Sequence, residues 1–124
     1  MNTSGINRRI NRKKVDYNLL EKELNDPQSD RYIILNKLLK LIDIRKQYDA
    51  FDPKAKQEVN HIDKDIFSII RIGKTTKIET YVNVSSKTKT LKDVNGYDLI
   101  NKKDIDGLIL KPYDSVWIKK KVNL

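Results

Sequence analysis

At 124 residues and 14.6 kDa the chain is one modest domain or the end of a larger one, and a complete eight-stranded barrel of roughly 250 residues will not fit. Charged residues reach 35% against a globular norm of about 25%, yet 38% hydrophobic residues still supply a small core, which excludes disorder throughout. With no cysteine there is no disulfide framework or thiolate zinc site, and the single His61 cannot build a histidine metal cluster, so neither metal nor cofactor is expected.

The net charge of +9 rests on 20 Lys and only 6 Arg. Readers of nucleic acid lean on Arg for bidentate contacts, whereas Lys beside 16 Ile and 11 Asn is what AT-rich codons supply whatever the function. Residues 1–14 are polar and basic with no apolar leader core, and no window approaches the ~18 apolar residues of a membrane span. The expectation is a cytoplasmic protein with neither a membrane nor a nucleic-acid partner.

In chain order, residues 1–15 read as a basic loop with Arg8, Arg9, Arg12, Lys13 and Lys14. Asp16 can cap a short helix through Tyr17, Leu19, Leu20 and Leu24, which Asp26-Pro27 ends because the residue before proline is pushed out of helical geometry. Ser29 or Asp30 can cap a second helix of about 18 residues ending near Tyr48. At 100° per residue, Ile34, Leu35, Leu38, Leu39, Leu41 and Ile42 share a broad arc, while Ile33 and Ile44 project near the polar side. A helix patterned this way faces a core and is touched from two directions.

After Phe51 the period shifts toward 2. Residues 65–72 and 77–84 read as two strands joined through Gly73-Lys74, with Ile78, Thr80, Val82 and Val84 on the inner face of the second and Lys77, Glu79 and Asn83 opposite. Residues 88–91 form a third strand before a turn at Asn95-Gly96, and 108–110 and 115–119 supply two more, split by Lys111-Pro112. The fold class is α+β: two helices, then an antiparallel sheet or small sandwich of five or so strands.

The candidate chemical motifs reduce to structure. Gly73-Lys74-Thr75 looks like the end of a phosphate loop, but Ile69, Ile70, Arg71 and Ile72 before it make a strand, so it reads as a hairpin turn. Asn83-Val84-Ser85 and Asn2-Thr3-Ser4 match the glycosylation pattern by coincidence. His61 has no partner arrangement marking a base. Asp63, Asp65, Asp104 and Asp106 read as turn chemistry. No catalytic residue is assigned.

Several blocks taken in order resemble the C-terminal portion of the sucrose phosphorylase branch of the α-amylase superfamily. They are Arg8-Arg9-Ile10-Asn11-Arg12, Tyr17 to Pro27, Ala50-Phe51-Asp52-Pro53 with Gln57-Glu58-Val59, Ile66-Phe67-Ser68-Ile69-Ile70-Arg71, Asn83-Val84-Ser85, Asp98-Leu99, Leu110-Lys111-Pro112-Tyr113 and Val116-Trp117-Ile118. The resemblance implies that residues 1–50 are the terminal loop and helices of a truncated (β/α)8 barrel, with 51–124 a C-terminal antiparallel β-domain. It also implies retaining glucosyl transfer from an α-glucoside such as sucrose to inorganic phosphate, giving α-glucose 1-phosphate through an Asp nucleophile and a Glu acid/base. Both carboxylates would precede this stretch, leaving it inactive alone, with the rest of the barrel as its partner. Matched to the family pattern Gly-Arg-Asp-Ile-Asn-Arg, Arg8 is the substrate-binding residue that would donate to the glucosyl 4-hydroxyl, although Asn7 and Arg9 stand where glycine and aspartate are usual. A docking or carbohydrate-contacting β-module and a basic nucleic-acid-binding protein are the alternatives.

Overall fold

A computed structural model describes residues 14–121. Two helices precede a 3-10 turn and six strands. Helix α1 is Tyr17–Leu24 and α2 is Asp30–Lys46; the 3-10 turn is Asp49–Phe51. The strands are β1 (Lys56–Val59), β2 (Ile66–Ile72), β3 (Thr76–Asn83), β4 (Lys89–Asp98), β5 (Lys103–Leu110) and β6 (Ser115–Lys121). Chain contacts divide the protein into two compact units, with the boundary between Lys40 and Leu41, inside α2.

The first unit is held by caps and turns. Asp16 Oδ1 accepts from the amides of Asn18 and Leu19 at 3.0 and 3.2 Å, satisfying donors that the first helical turn leaves free. Asp26 Oδ1 accepts from the Gln28 amide at 3.0 Å across the proline break. Ser29 is the cap of α2: its Oγ accepts from the Tyr32 amide at 3.1 Å and donates to the Glu23 carbonyl, tying the second helix to the first. Between residues 14 and 40 no side chain is buried.

The second unit is one antiparallel sheet in the order β1-β2-β3-β6-β4-β5. Ile66 of β2 joins Leu108 and Leu110 of β5, four places away in that order, in a core with Tyr81, Val94, Val116 and Ile118. The sheet therefore bends over on itself, and one bent sheet does the work expected of a small sandwich. On its other face Ile78 and Leu99 pack with Ile44 and Ala50, flanked by Tyr48, Phe51, Tyr97 and Trp117, so the last turns of α2 and the 3-10 turn seat there.

Several expectations are corrected. Asn95-Gly96 is not a turn: Gly96, at φ 143°, lies within β4, which runs ten residues and pairs with both β5 and β6. A side chain there would meet Ile118 Cγ2 at 2.7 Å and the Lys119 carbonyl at 2.8 Å, so glycine serves close strand approach. The reversal comes after Asp98, whose buried carboxylate accepts from the Ile100 and Asn101 amides, both at 3.0 Å, and from Asn101 Nδ2 at 2.8 Å. β1 escaped notice because all four of its residues are exposed, leaving no alternation to read.

The faces of β3 are also exchanged. Glu79, Tyr81 and Asn83 point into the bent sheet and are buried, while Val84 is exposed and Thr80 and Val82 are half-buried; of the expected inner set only Ile78 is covered. The polar members are tolerated inside because each is fully engaged. Glu79 accepts from the Tyr81 hydroxyl at 2.6 Å and faces Lys120 and Lys77 at 3.4 and 3.7 Å. Burial and the Glu79 carboxylate together hold the Tyr81 phenol well above its ordinary pKa.

Candidate functional site

The feature that most needs a functional account is the apolar arc of α2. Ile34 is 66% exposed, Leu38 and Leu39 about half exposed, and Ile42 more than a third. Leu35 and Leu41 are half-buried, and the only fully buried side chain of the helix is Ile44, on the opposite side of the arc. The pattern expected of a core-facing helix is present, but the covering wall is not among the described residues. Contiguous exposed apolar surface on this scale is what interaction sites carry. Lys37 borders it, and Arg45 and Lys46 add positive charge at its C-terminal end.

The exit of α2 is fixed by a polar knot that the sequence did not announce. Asp49 receives four hydrogen bonds: the Thr75 amide and hydroxyl reach Oδ2 at 2.7 and 2.8 Å, and the Thr76 amide and hydroxyl reach Oδ1 at 3.0 and 2.5 Å. The Thr76 hydroxyl does most to pull the Asp49 pKa down to about 2, with Thr75 adding to it. Arg71 clamps the same segment: its Nε donates to the Ala50 carbonyl at 2.8 Å, Nη2 to the Asp52 carbonyl at 2.7 Å and Nη1 to Gln57 Oε1 at 2.5 Å. The signal lay in the Asp49 and Arg71 residue types, but their partners are 14 to 27 residues distant.

Gly73-Lys74-Thr75 is the hairpin turn between β2 and β3, closed by the Gly73 amide to the Thr76 carbonyl at 2.8 Å. Its Thr75 and Thr76 amides are spent on Asp49, so they cannot cradle phosphate. Asn83 is buried, with its amide nitrogen donating to the carbonyls of Lys87, Leu110 and Lys111 at 2.6, 3.2 and 3.1 Å; it is a strand lock and not a glycan acceptor. Asp63 and Asp65 sit in a turn, each 3.1 Å from Lys89 Nζ. The Asp65 amide, then Lys89, hold the Asp63 pKa below the usual carboxylate range, and both aspartates raise that of Lys89. Asp104 and Asp106 are corrected from turn to strand: they are exposed on β5, opposite Tyr97 and Asn95. His61 is exposed in the segment between β1 and β2. Arg8 and Asn2 lie outside the described residues.

Among the described residues no group of three or more His, Asp or Glu is placed to hold a metal ion, and no helix is long and apolar enough to cross a membrane. What the described residues offer is an antiparallel sheet that seats Ile44 and the 3-10 turn, and an apolar arc on α2 that lies exposed or half-buried.

No family model matches the chain. Over 120 residues it is 32% identical to the glucosylglycerate phosphorylase of Escherichia coli, covering 93% of this chain and 22% of that protein. Over 115 residues it is 33% identical to the glucosylglycerate phosphorylase of Allomeiothermus silvanus, covering 93% of this chain and 20% of the relative. The chain thus spans about a fifth of the length of the curated relatives it matches. The crystal structure of trehalulose synthase from Pseudomonas mesoacidophila shares the fold over 80% of the chain and 19% of its own, with a TM-score of 0.59 at 20% identity. That of Bacillus licheniformis trehalose-6-phosphate hydrolase does so over 80% and 20%, with a TM-score of 0.55 at 24% identity.

Proposed function

Because the chain belongs to the sucrose phosphorylase branch of the α-amylase superfamily, we propose that it is the C-terminal part of a retaining phosphorylase that moves a glucosyl group from an α-glucoside to inorganic phosphate. The product would be α-glucose 1-phosphate. Glucosylglycerate is the favoured α-glucoside, ahead of sucrose, because both relatives above carry that name. In this reading residues 1–50 close the barrel and 51–124 form the β-domain appended to it. The Asp nucleophile and Glu acid/base belong to the four-fifths of the enzyme not represented here, and the chain alone does no chemistry. Arg8 is the residue that would reach the active site, its guanidinium donating to the glucosyl 4-hydroxyl.

The observation that carries the reading is the uncovered arc of α2. A side chain of this kind contributes roughly 1.5 to 3 kcal/mol when fully buried, so six of them left wet or half-wet make poor sense in a self-sufficient protein and good sense on the last helix of a barrel. Neither core of the sheet includes a residue of the arc.

The test replaces the matched segment of the E. coli enzyme with this chain. Purified chimera and isolated chain are each given glucosylglycerate or sucrose with inorganic phosphate, and glucose 1-phosphate is measured. The expected result is phosphorolysis of glucosylglycerate by the chimera and none by the chain. Glucose 1-phosphate formed by the isolated chain, or a folded chimera inactive on both sugars, contradicts the proposal. In the active chimera, Arg8→Ala should raise KM and lower kcat; unchanged kinetics would remove Arg8 from the site.

A further inference from the structure

At its β4–β5 end the sheet carries a group of side chains that neither core nor the phosphorylase reading uses. Asp104 stands opposite Tyr97 in the β4–β5 register and Asp106 opposite Asn95, while Lys119 of β6 faces Tyr97 from the other side. Residues paired across antiparallel strands share a face, as do residues two apart on one strand, so all of these project from the same side of the sheet. Tyr97 flanks the cluster of Ile44, Ile78 and Leu99, which makes that side the outer one. A cleft of about 460 Å³ opens there, lined by Asn95, Tyr97, Asp104 and Lys119. Small-ligand sites run from roughly 300 to 1,000 Å³.

The chemistry of the cleft narrows what it can hold. Lys119 Nζ lies 5.3 Å from the centroid of the Tyr48 ring and 5.8 Å from that of Tyr97, so two aromatic faces hold the ammonium on the β6 side. The carboxylates stand on the β5 side. Among the described residues Asp104, Asp106 and Lys119 make no ion pair, whereas Asp63 and Asp65 are both taken by Lys89. The cleft therefore presents an aromatic ring with acceptors on one side, a held donor on the other, and in Asn95 a group that does both. Other ligand classes meet an obstacle here. Two carboxylates repel an anion, and the ammonium repels a metal ion. None of the exposed large apolar side chains belongs to this group, so a protein surface finds no anchor. A pyranose meets no such obstacle: its C–H face packs on a phenol ring, and its hydroxyls donate to carboxylates and accept from an ammonium. We infer that this cleft binds a pyranose ring, stacked on Tyr97 and hydrogen-bonded by Asp104 and Lys119. The inference goes beyond the phosphorylase reading, because binding here needs neither the missing carboxylates nor Arg8.

Titration of the isotope-labelled chain, read from the amide shifts of Asn95, Tyr97 and Lys119, tests it. Glucose and glucosylglycerate are the probes. Glycerol carries hydroxyls without a ring, alanine carries paired charges without one, and inorganic phosphate is the anion. The expected result is saturable shifts with both sugars and none with the three controls at equal concentration. Asp104→Asn, at an exposed position outside both cores, should weaken sugar binding about threefold or more, and Tyr97→Ala about tenfold or more. Glu58→Gln, exposed on β1 at the far edge of the sheet, should leave it unchanged. Should Tyr97→Ala disturb the fold, because the ring borders the lower core, Asp104→Asn decides the matter alone. Shifts absent with both sugars, matched by glycerol, alanine or phosphate, or undiminished in Asp104→Asn overturn the pyranose site. Each of those results leaves the phosphorylase reading standing, since that reading is judged by glucose 1-phosphate formed by the chimera.

Discussion

Residues 14–40 and residues 41–121 are built on opposite principles. The first stretch is ordered by caps, an Asx turn and the Ser29 tie to Glu23, and it buries no side chain. The second is ordered by two apolar cores, one inside the bend of the sheet and one beneath Ile44. The contrast teaches that amphipathic patterning reports what a helix was selected to touch, which here lies outside the described residues. It also separates the consequences of mutation: change in the sheet should cost stability, whereas change on the arc of α2 should cost association.

The largest effect should come from Ile78→Ala. Ile78 is fully buried between Ile44, Ala50 and Leu99, and emptying such a site costs about 2 to 5 kcal/mol, visible as a lowered midpoint in urea unfolding. A loss under about 0.5 kcal/mol would mean that the lower core is not formed. Gly73→Ala comes next. A methyl there would press on Asp49 Oδ1 and lie 2.6 Å from the Ala50 amide nitrogen, so the 3-10 turn must shift, at about 1 to 3 kcal/mol by the same measurement.

A smaller, pH-dependent effect belongs to Asp49. Its folded pKa of about 2 lies below the ordinary carboxylate value, so the folded state gains from the ionised form. That stabilisation is present above the ordinary value and disappears as pH falls toward 2. Unfolding midpoints taken between pH 5 and pH 2 should fall for the natural chain, and Asp49→Asn should flatten the part of that fall due to this residue. Identical acid slopes in the two proteins would refute the knot. The smallest effect on stability should be Leu38→Ser, within about 0.5 kcal/mol, because the side chain is already wet. The same variant should reduce self-association of the isolated chain in analytical ultracentrifugation; a large loss of stability would place Leu38 in a core and undo the comparison.

Local rules made much of this legible. Asp16 and Ser29 sit at the helix starts because a short oxygen acceptor is needed there, and Asp26-Pro27 separates the helices because proline excludes the helical conformation before it. The strands β2, β3 and β6 were visible as β-branched runs. What escaped depended on distant partners. Asn95-Gly96 has the chemistry of a turn, but Asp98 captures the reversal three residues later. Glu79 and Asn83 read as an outer face because nothing in their neighbourhood reveals Tyr81, Lys120 or the Leu110 carbonyl as partners. The knot at Asp49 was invisible for the same reason, since Thr75 and Thr76 are brought to it only when the sheet forms. Of the candidate site, the arc could be read from spacing alone; that it would stay bare could not.

The claim on which the account rests is that α2 was shaped for a surface this chain does not contain. Hydrogen exchange of the amides from Ile34 to Ile42, compared between the isolated chain and the E. coli chimera, measures it most directly. The account predicts rapid exchange in the isolated chain, far faster than in β3 and β6, and strong slowing once the remaining four-fifths of the enzyme is present. Exchange in the isolated chain as slow as that of β3, or unchanged exchange in an active chimera, would contradict it.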